Sequence, residues 1–252
     1  MEEQESPEQV IKGMKVEIIT KPGKNIIGIV EDLGIKKQRE LMVRLKSGEI
    51  GRVQRIINGK PQGEIESLIK KGESYKIEFK SDALWSLNYK EEDIKKTKSY
   101  DLHTHKHKAS KVIIARSISA LLNSDGGNLV LGVKEKKDGE SGFEIVGIDS
   151  DLEKLKQQGK DCSKDGYKRM IIDDIIRPYF PPKIYNSLND YLSINFEEIE
   201  GKLLCNIKIK PSNQRIFLNL EGRKLFMIRT ETETRQIQDE ELVDYCMKRF
   251  LS

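Results

Sequence analysis

The sequence predicts an α+β chain in two parts: a small all-β barrel of SH3-like size, then a mixed sheet with packed helices. Three observations carry that expectation. Short alternating apolar segments broken by Gly and Pro-Gly turns fill residues 10–58. A stretch from Ser110 to Ser124 repeats its apolar residues at helical spacing. Beyond it, strand-like segments joined by short polar turns alternate with helical ones.

The elements follow in order. Strands are expected at Ile11–Ile19, Ile26–Glu31, Leu41–Leu45 and Ile50–Val53, with turns at Lys21-Pro22-Gly23-Lys24-Asn25 and Lys46-Ser47-Gly48-Glu49. Asn58-Gly59-Lys60-Pro61-Gln62-Gly63 is rich in turn formers and marks the boundary between a domain at 10–60 and one at 64–252. A short helix is expected over Glu64–Lys71. Residues 81–108 show no clear period. Ser110 is a candidate N-cap for the main helix, whose Ile114, Ile118 and Leu121 share a face. Gly126 and Gly127 then permit positive φ, so the chain reverses tightly into an apolar, central strand over Asn128–Glu135. Gly142–Ile148 answers it across the polar loop 136–141. A helix over Arg169–Ile176, paired strands Leu192–Ile199 and Lys202–Lys210, a strand Lys224–Arg229 and a closing helix Glu240–Phe250 complete the chain.

Composition narrows the function classes. Of 252 residues, 34% are charged and 37% hydrophobic, which suits a folded, soluble protein and is far from the signature of disorder. A formal net charge of +4 permits a polyanionic partner without demanding one. Cys162, Cys205 and Cys246 are far apart and form no CxxC, so neither a disulfide framework nor a zinc knuckle is expected, and a reducing cytoplasm fits. Residues 1–9 are acidic and polar, unlike a secretory signal, and no run approaches the ~20 apolar residues of a membrane span. No membrane role is expected.

Two stretches carry possible chemistry. Glu73–Lys80 reads as a strand with Tyr75, Ile77 and Phe79 on one face and Lys76, Glu78 and Lys80 on the other, beside Glu73. That charged face suits a metal and phosphate site, and equally an ordinary solvated strand. His103, His105 and His107 would share a face if extended and could bind zinc or nickel; with no cysteine ligand nearby in sequence, solvent or phosphate neighbours are favoured. No G-x-x-x-x-G-K-[ST] loop occurs, so no ATP site is expected.

Two resemblances extend this reading. Lys21-Pro22-Gly23, Gly28-Ile29-Val30, Val43-Arg44-Leu45, Gly48 and Gly51-Arg52-Val53 make residues 10–58 similar to the small YwbE-like family, which implies a barrel able to carry RNA or protein. Arg44, Arg52, Arg55 and Lys60 are its candidate phosphate contacts, and solubilising surface charge explains them equally. Glu73-Ser74, Ile77-Glu78-Phe79-Lys80, Ala120–Val133, Ile145-Val146-Gly147 and Phe226–Arg229 with Thr234-Arg235 resemble the AlbA-like domain of the Schlafen family over about residues 66–250.

The Schlafen resemblance implies nucleic-acid binding. Some members are metal-dependent endoribonucleases on transfer RNA and related structured RNA, using three acidic residues, which by motif position are Glu73, Glu78 and Glu135. Here Glu135 replaces an aspartate, and Glu231 stands where a glycine commonly follows the strand arginine. Carboxylates ~4 Å apart repel by about 4 kcal/mol at an effective dielectric near 20, so a converging trio calls for a cation, and oxygen-only ligands favour Mg²⁺ or Mn²⁺. Lys80 would stabilise phosphoryl charge in such a site. Lys76, Lys134, Arg229 and Arg235 are further nucleic-acid contacts, with ion pairs to Glu231, Glu233 or Asp239 the alternative for the two arginines. Larger relatives carry two such domains, which makes a homodimer the expectation here. RNA, with DNA as a second possibility, is the expected partner; a non-catalytic nucleic-acid-binding regulatory module is the alternative function.

Overall fold

The computed structural model describes residues 10–251 apart from 22, 38–39, 59–62, 137–141 and 232. Pro22, Lys60, most of the 58–63 turn and the tip of the 136–141 loop therefore lie outside the described residues. The chain forms two compact units, Met1–Glu64 and Ile65–Ser252.

In the first unit β1 (Lys15–Ile19), β2 (Asn25–Lys37), β3 (Glu40–Leu45) and β4 (Ile50–Asn58) close into an antiparallel barrel, β1 pairing with both β2 and β4. Alternation sends Val16, Ile18, Val43 and Leu45 inward, where they are fully buried with Met14, Val30 and Val53 around them. Two glycines let the strands approach closely. A Cβ on Gly28 would meet Leu45 Cδ1 at 2.7 Å, and one on Gly51 would meet the Ile19 carbonyl oxygen at 2.6 Å. The expected small barrel is present, with β2 running six residues past the predicted Glu31 through two register shifts against β3.

The second unit begins with α1 (Glu64–Lys71), β5 (Ile77–Lys80), α2 (Glu91–Lys96), α3 (Tyr100–His105), α4 (Ala109–Asn123), β6 (Gly127–Leu131), β7 (Val133–Glu135) and β8 (Phe143–Ile145). It continues through α5 (Asp149–Gln157), α6 (Lys164–Ile171), α7 (Arg177–Tyr179), α8 (Pro182–Asn186), α9 (Leu188–Tyr191), β9 (Leu192–Ile199) and β10 (Lys202–Ile209). It ends with β11 (Phe217–Leu220), β12 (Arg223–Arg229), β13 (Thr234–Ile237) and α10 (Asp239–Phe250). A four-stranded sheet has the order β5-β6-β10-β9, β11-β12-β13 form a meander, and β7-β8 a hairpin. The fold is therefore the mixed α and β class expected.

β5 and β6 run parallel, and parallel neighbours need a crossover. The segment 81–108 belongs to it: short helical turns, α2 and α3, lead into α4. Turns of three to six residues are too short to display a helical period, which is why the sequence pattern was silent there. α4 is buried on nearly every side, with Ile114, Ile118 and Leu121 in the main core as expected. Ser110 is not its cap; it lies inside the first turn, its hydroxyl 2.8 Å from that of Ser86. The Asn128–Glu135 strand is broken at Gly132, whose φ of 99° turns the chain out of the sheet and into the β7-β8 hairpin. The helix expected over Arg169–Ile176 starts earlier, capped by Ser163, and passes through a π-helical turn at Ile172–Ile176.

Period-two alternation sorts the sheet faces. Ile77, Phe79 and Val130 pack with Ile65 and Leu68 of α1, while Leu129, Leu131, Cys205 and Ile207 face the core built on α4. In that core sits one buried carboxylate, Asp151. It accepts hydrogen bonds from the Ala83 N–H (2.7 Å), the Leu84 N–H (2.9 Å) and the Tyr167 hydroxyl (2.7 Å). Burial outweighs these bonds and pushes its carboxyl up from 3.8 to about 6. The folded state therefore binds the extra proton between those values, so the stabilising contribution is complete below pH 4 and is lost as pH rises through 6. In urea unfolding, wild type should lose on the order of 3 kcal/mol relative to Asp151→Asn between pH 4 and pH 6.5; parallel pH curves for the two proteins would contradict this assignment.

Candidate nucleic-acid interface

β5 is an edge strand of the sheet, and its register with β6 pairs Glu78 with Leu129 and Lys80 with Leu131. Both charged residues thus belong to the face that Leu129 and Leu131 turn towards α4. Glu78 is only 6% exposed. The solvated strand face is corrected accordingly: a second layer covers it, and its burial depends on residues more than a hundred positions away. Tyr75, expected on the apolar face of a longer strand, instead sits in the turn before β5 and is 47% exposed.

The end of α4 brings the partner of Glu78 into place. Asn123 is fully buried and uses its amide completely, donating to the carbonyls of Ile216 (2.8 Å) and Met227 (3.0 Å) and accepting from the Ile216 N–H (2.9 Å). Ser124 Oγ accepts from the Arg229 N–H at 3.0 Å, and Arg249 donates to the Ser124 carbonyl at 3.0 Å. These bonds fix β12 against the helix. Gly126 and Gly127 are needed for close approach, since a Cβ on Gly127 would collide with the Lys76 carbonyl.

Arg229, itself buried, then reaches Glu78 Oε2 through Nη1, and Lys80 Nζ bonds Glu78 Oε1. Arg229 Nη2 also donates to the Ser74 carbonyl at 3.2 Å, while its Nε has no acceptor among the described residues. One carboxylate between two cations, out of water, makes charge-assisted bonds whose loss leaves an uncompensated buried charge. Glu73 is exposed; its Oε1 accepts the Phe79 N–H at 2.8 Å, so it braces the loop from the other side.

The remaining predicted residues are dispersed. Glu135 is exposed at the end of β7, in the separate hairpin, and Lys134 beside it lies 3.9 Å from Glu144. Arg235 makes a two-pronged contact with Glu241, which holds the Glu241 carboxyl below the usual range, rather than with Glu231, Glu233 or Asp239. Lys76 is exposed, its Nζ 5.3 Å from the Tyr75 ring centre. In the barrel Arg44 is exposed, Arg52 is half-buried, and Arg55 pairs with Glu17 at 2.6 Å. The three histidines do not share an extended face. His103 bonds the Thr97 carbonyl, His105 is buried, and His107 Nδ1 lies 3.3 Å from the Ser86 carbonyl.

The donor set does not fit a divalent ion in this arrangement. Both oxygens of Glu78 are taken by cations, and among the described residues no three His, Cys, Asp or Glu side chains gather to hold a metal. The sequence pointed to Glu78 and Lys80 as site residues but not to their burial. It missed Asn123 and Ser124 as structural anchors because a polar pair before Gly-Gly reads locally as turn, and alternation placed Tyr75 in the core although it is exposed.

Fold and site together define a mixed-sheet domain whose motif residues lock an edge strand to a meander. The chain belongs to the Schlafen AlbA_2 family: the family model described as "Schlafen, AlbA_2" matches residues 73–238. That membership makes it a nucleic-acid-related domain. Among solved structures, the chain is similar to the DIP2311 protein from Corynebacterium diphtheriae at 13% identity and a TM-score of 0.39, over 73% of this chain and 31% of that one. It thus spans about a third of that protein. It is also similar to the N-terminal domain of a putative ATP-dependent DNA helicase RecG-related protein from Nitrosomonas europaea, at 17% identity and a TM-score of 0.34, over 69% of this chain and 94% of that one. No curated protein matches it. Among the described residues no helix is long and apolar enough to cross a membrane.

Removing Arg229 tests the lock. Arg229→Leu should cost about 3–5 kcal/mol of unfolding free energy by leaving Glu78 buried and unpaired. The same change made on a Glu78→Leu background should cost clearly less. Equal costs in the two backgrounds would mean the pair is not coupled.

Proposed function

We propose that this domain is a nucleic-acid-binding module that grips the phosphate backbone beside the β5 turn and does not depend on catalysis for its role. The observation that carries the reading is the presentation of Tyr75 and Lys76. Ser74 and Ile77 exchange backbone hydrogen bonds at 3.0 and 3.2 Å, Ser74 Oγ accepts the Lys76 N–H at 3.3 Å, and Arg229 holds the Ser74 carbonyl. A rigid turn therefore offers an aromatic face and an ammonium to solvent, the pairing that stacks a base and neutralises a phosphate. Glu78, closed between Arg229 and Lys80, supports the turn from beneath. Arg44 and Arg52 of the barrel would add a second grip.

The second reading is a Mg²⁺- or Mn²⁺-dependent endoribonuclease on structured RNA such as transfer RNA. It is favoured by the hydrogen bond that brings the Glu73 carboxylate to the peptide next to Glu78. For it Glu78 would have to part from its cations. A homodimer would double the binding surface in either case.

The test is fluorescence anisotropy of the full chain with transfer RNA, single-stranded DNA and duplex DNA over a salt series, with gel analysis of the same RNA after incubation with Mn²⁺. Binding should weaken steeply with salt, and Lys76→Ala should reduce the log–log salt slope by about one. Tyr75→Ala should weaken single-strand binding by about tenfold, with Tyr75→Phe close to wild type. Intact RNA is expected. Mn²⁺-dependent cleavage abolished by Glu78→Gln would select the nuclease instead, and the absence of salt-dependent binding to any of the three would overturn both.

A further inference from the structure

A cavity lies away from the β5 turn, between the start of α4, the π-helical turn 172–176 and the β11-β12 hairpin. It is an open cleft of about 660 Å³, a volume within the range of small-molecule sites. Its lining includes His105, Lys108, Lys111, Lys160, Asp174 and Tyr179.

Three independent features mark it as built. The first is His105, whose side chain is 4% exposed and whose Nδ1 has no hydrogen-bond partner. Its other nitrogen, Nε2, lies 3.5 Å from Arg116 Nη2, and Arg116 is itself held by Asp101 at 2.7 Å. A guanidinium only donates, so Nε2 is the nitrogen that accepts and Nδ1 the one that carries a proton. The cavity therefore receives a buried N–H donor without an acceptor. The closest candidate, Glu221 Oε1, stands at 3.7 Å, beyond hydrogen-bond reach, on a side chain that is 69% exposed.

The second feature is the arrangement of ammonium groups. Lys111 and Lys160 both bond Asp174 Oδ2, at 2.8 and 3.1 Å, so one carboxylate gathers two cations. Burial opposes the ionisation of Asp174, but these bonds hold its carboxyl below the usual range. Lys108 is exposed, with no ion pair among the described residues, and immediately precedes α4. The third is the π-helical turn that carries Asp174, a distortion that recurs at functional sites.

A buried donor without an acceptor, an unpaired ammonium and two more ammonium groups drawn together ask for an anion. Tyr179, Pro178, Val112 and Leu220 add an apolar wall for a group attached to it. We propose that this cavity binds a phosphate monoester of nucleotide size, with the phosphate among Lys108, Lys111, Lys160 and the Nδ1–H of His105, and Glu221 swinging aside. A free mononucleotide and the 5′-phosphorylated end of an oligonucleotide share that chemistry.

The test follows the His105 ring nitrogens by NMR while the full chain is titrated with inorganic phosphate, adenosine 5′-monophosphate, and an oligonucleotide with or without its 5′-phosphate. A saturable shift of Nδ1 by the monophosphate is expected, weakened about tenfold in Lys108→Ala and strengthened in Glu221→Gln, both exposed positions that leave the fold intact. A larger effect from the phosphorylated oligonucleotide than from its hydroxyl form would identify nucleic-acid ends as the source; no difference between them, with the mononucleotide still saturating, would identify free nucleotide. No saturable shift, or one indifferent to both substitutions, would overturn the proposal. Because the readout sits at His105, it is independent of whether the β5 turn binds nucleic acid.

Discussion

The second unit depends on one carboxylate held between two cations. Glu78 lies on an edge strand, Arg229 at the end of the meander's central strand, and Lys80 two residues along the same strand as Glu78. An edge strand with an exposed rim is a liability, and here it is tied down by a charge pair removed from water rather than by apolar contact alone. Because Arg229 also holds the Ser74 carbonyl, the same guanidinium sets the turn that presents Tyr75 and Lys76. Stability and presentation are thus properties of one contact.

That contact is possible only because α4 ends where it does. Asn123 saturates its amide on β12 and on the chain before β11, Ser124 takes the Arg229 N–H, and Gly126-Gly127 let β6 begin against the turn before β5. The Asn-Ser-Asp-Gly-Gly run therefore serves three backbones at once. A phosphate-cradling loop would need its N–H groups open to solvent. In this chain the glycines are used for close approach between strands.

Much of the architecture was legible in the residues. The barrel, α1, the β9-β10 pair, β12 and α10 all follow from apolar period and turn chemistry, because in each the local pattern and the tertiary role agree. The failures have a common cause. α2 and α3 are too short to repeat, the central strand breaks at a single glycine, and Glu78 is closed off by Arg229, which no window around β5 contains. The site was legible as a list of residues and illegible as a geometry: Glu73 and Glu78 are neighbours, but Glu135 leaves in a different hairpin, and Arg229 faces inward to Glu78 rather than outward to solvent.

The central claim is that the Glu78 carboxylate is neutralised from within the fold. The most direct measurement is diffraction at the manganese absorption edge from crystals of the full chain grown with MnCl₂. The account predicts Glu78 bonded to Arg229 and Lys80 with no anomalous peak within coordination distance of its carboxylate. An ordered Mn²⁺ bridging Glu73 and Glu78, with Arg229 displaced, would contradict it.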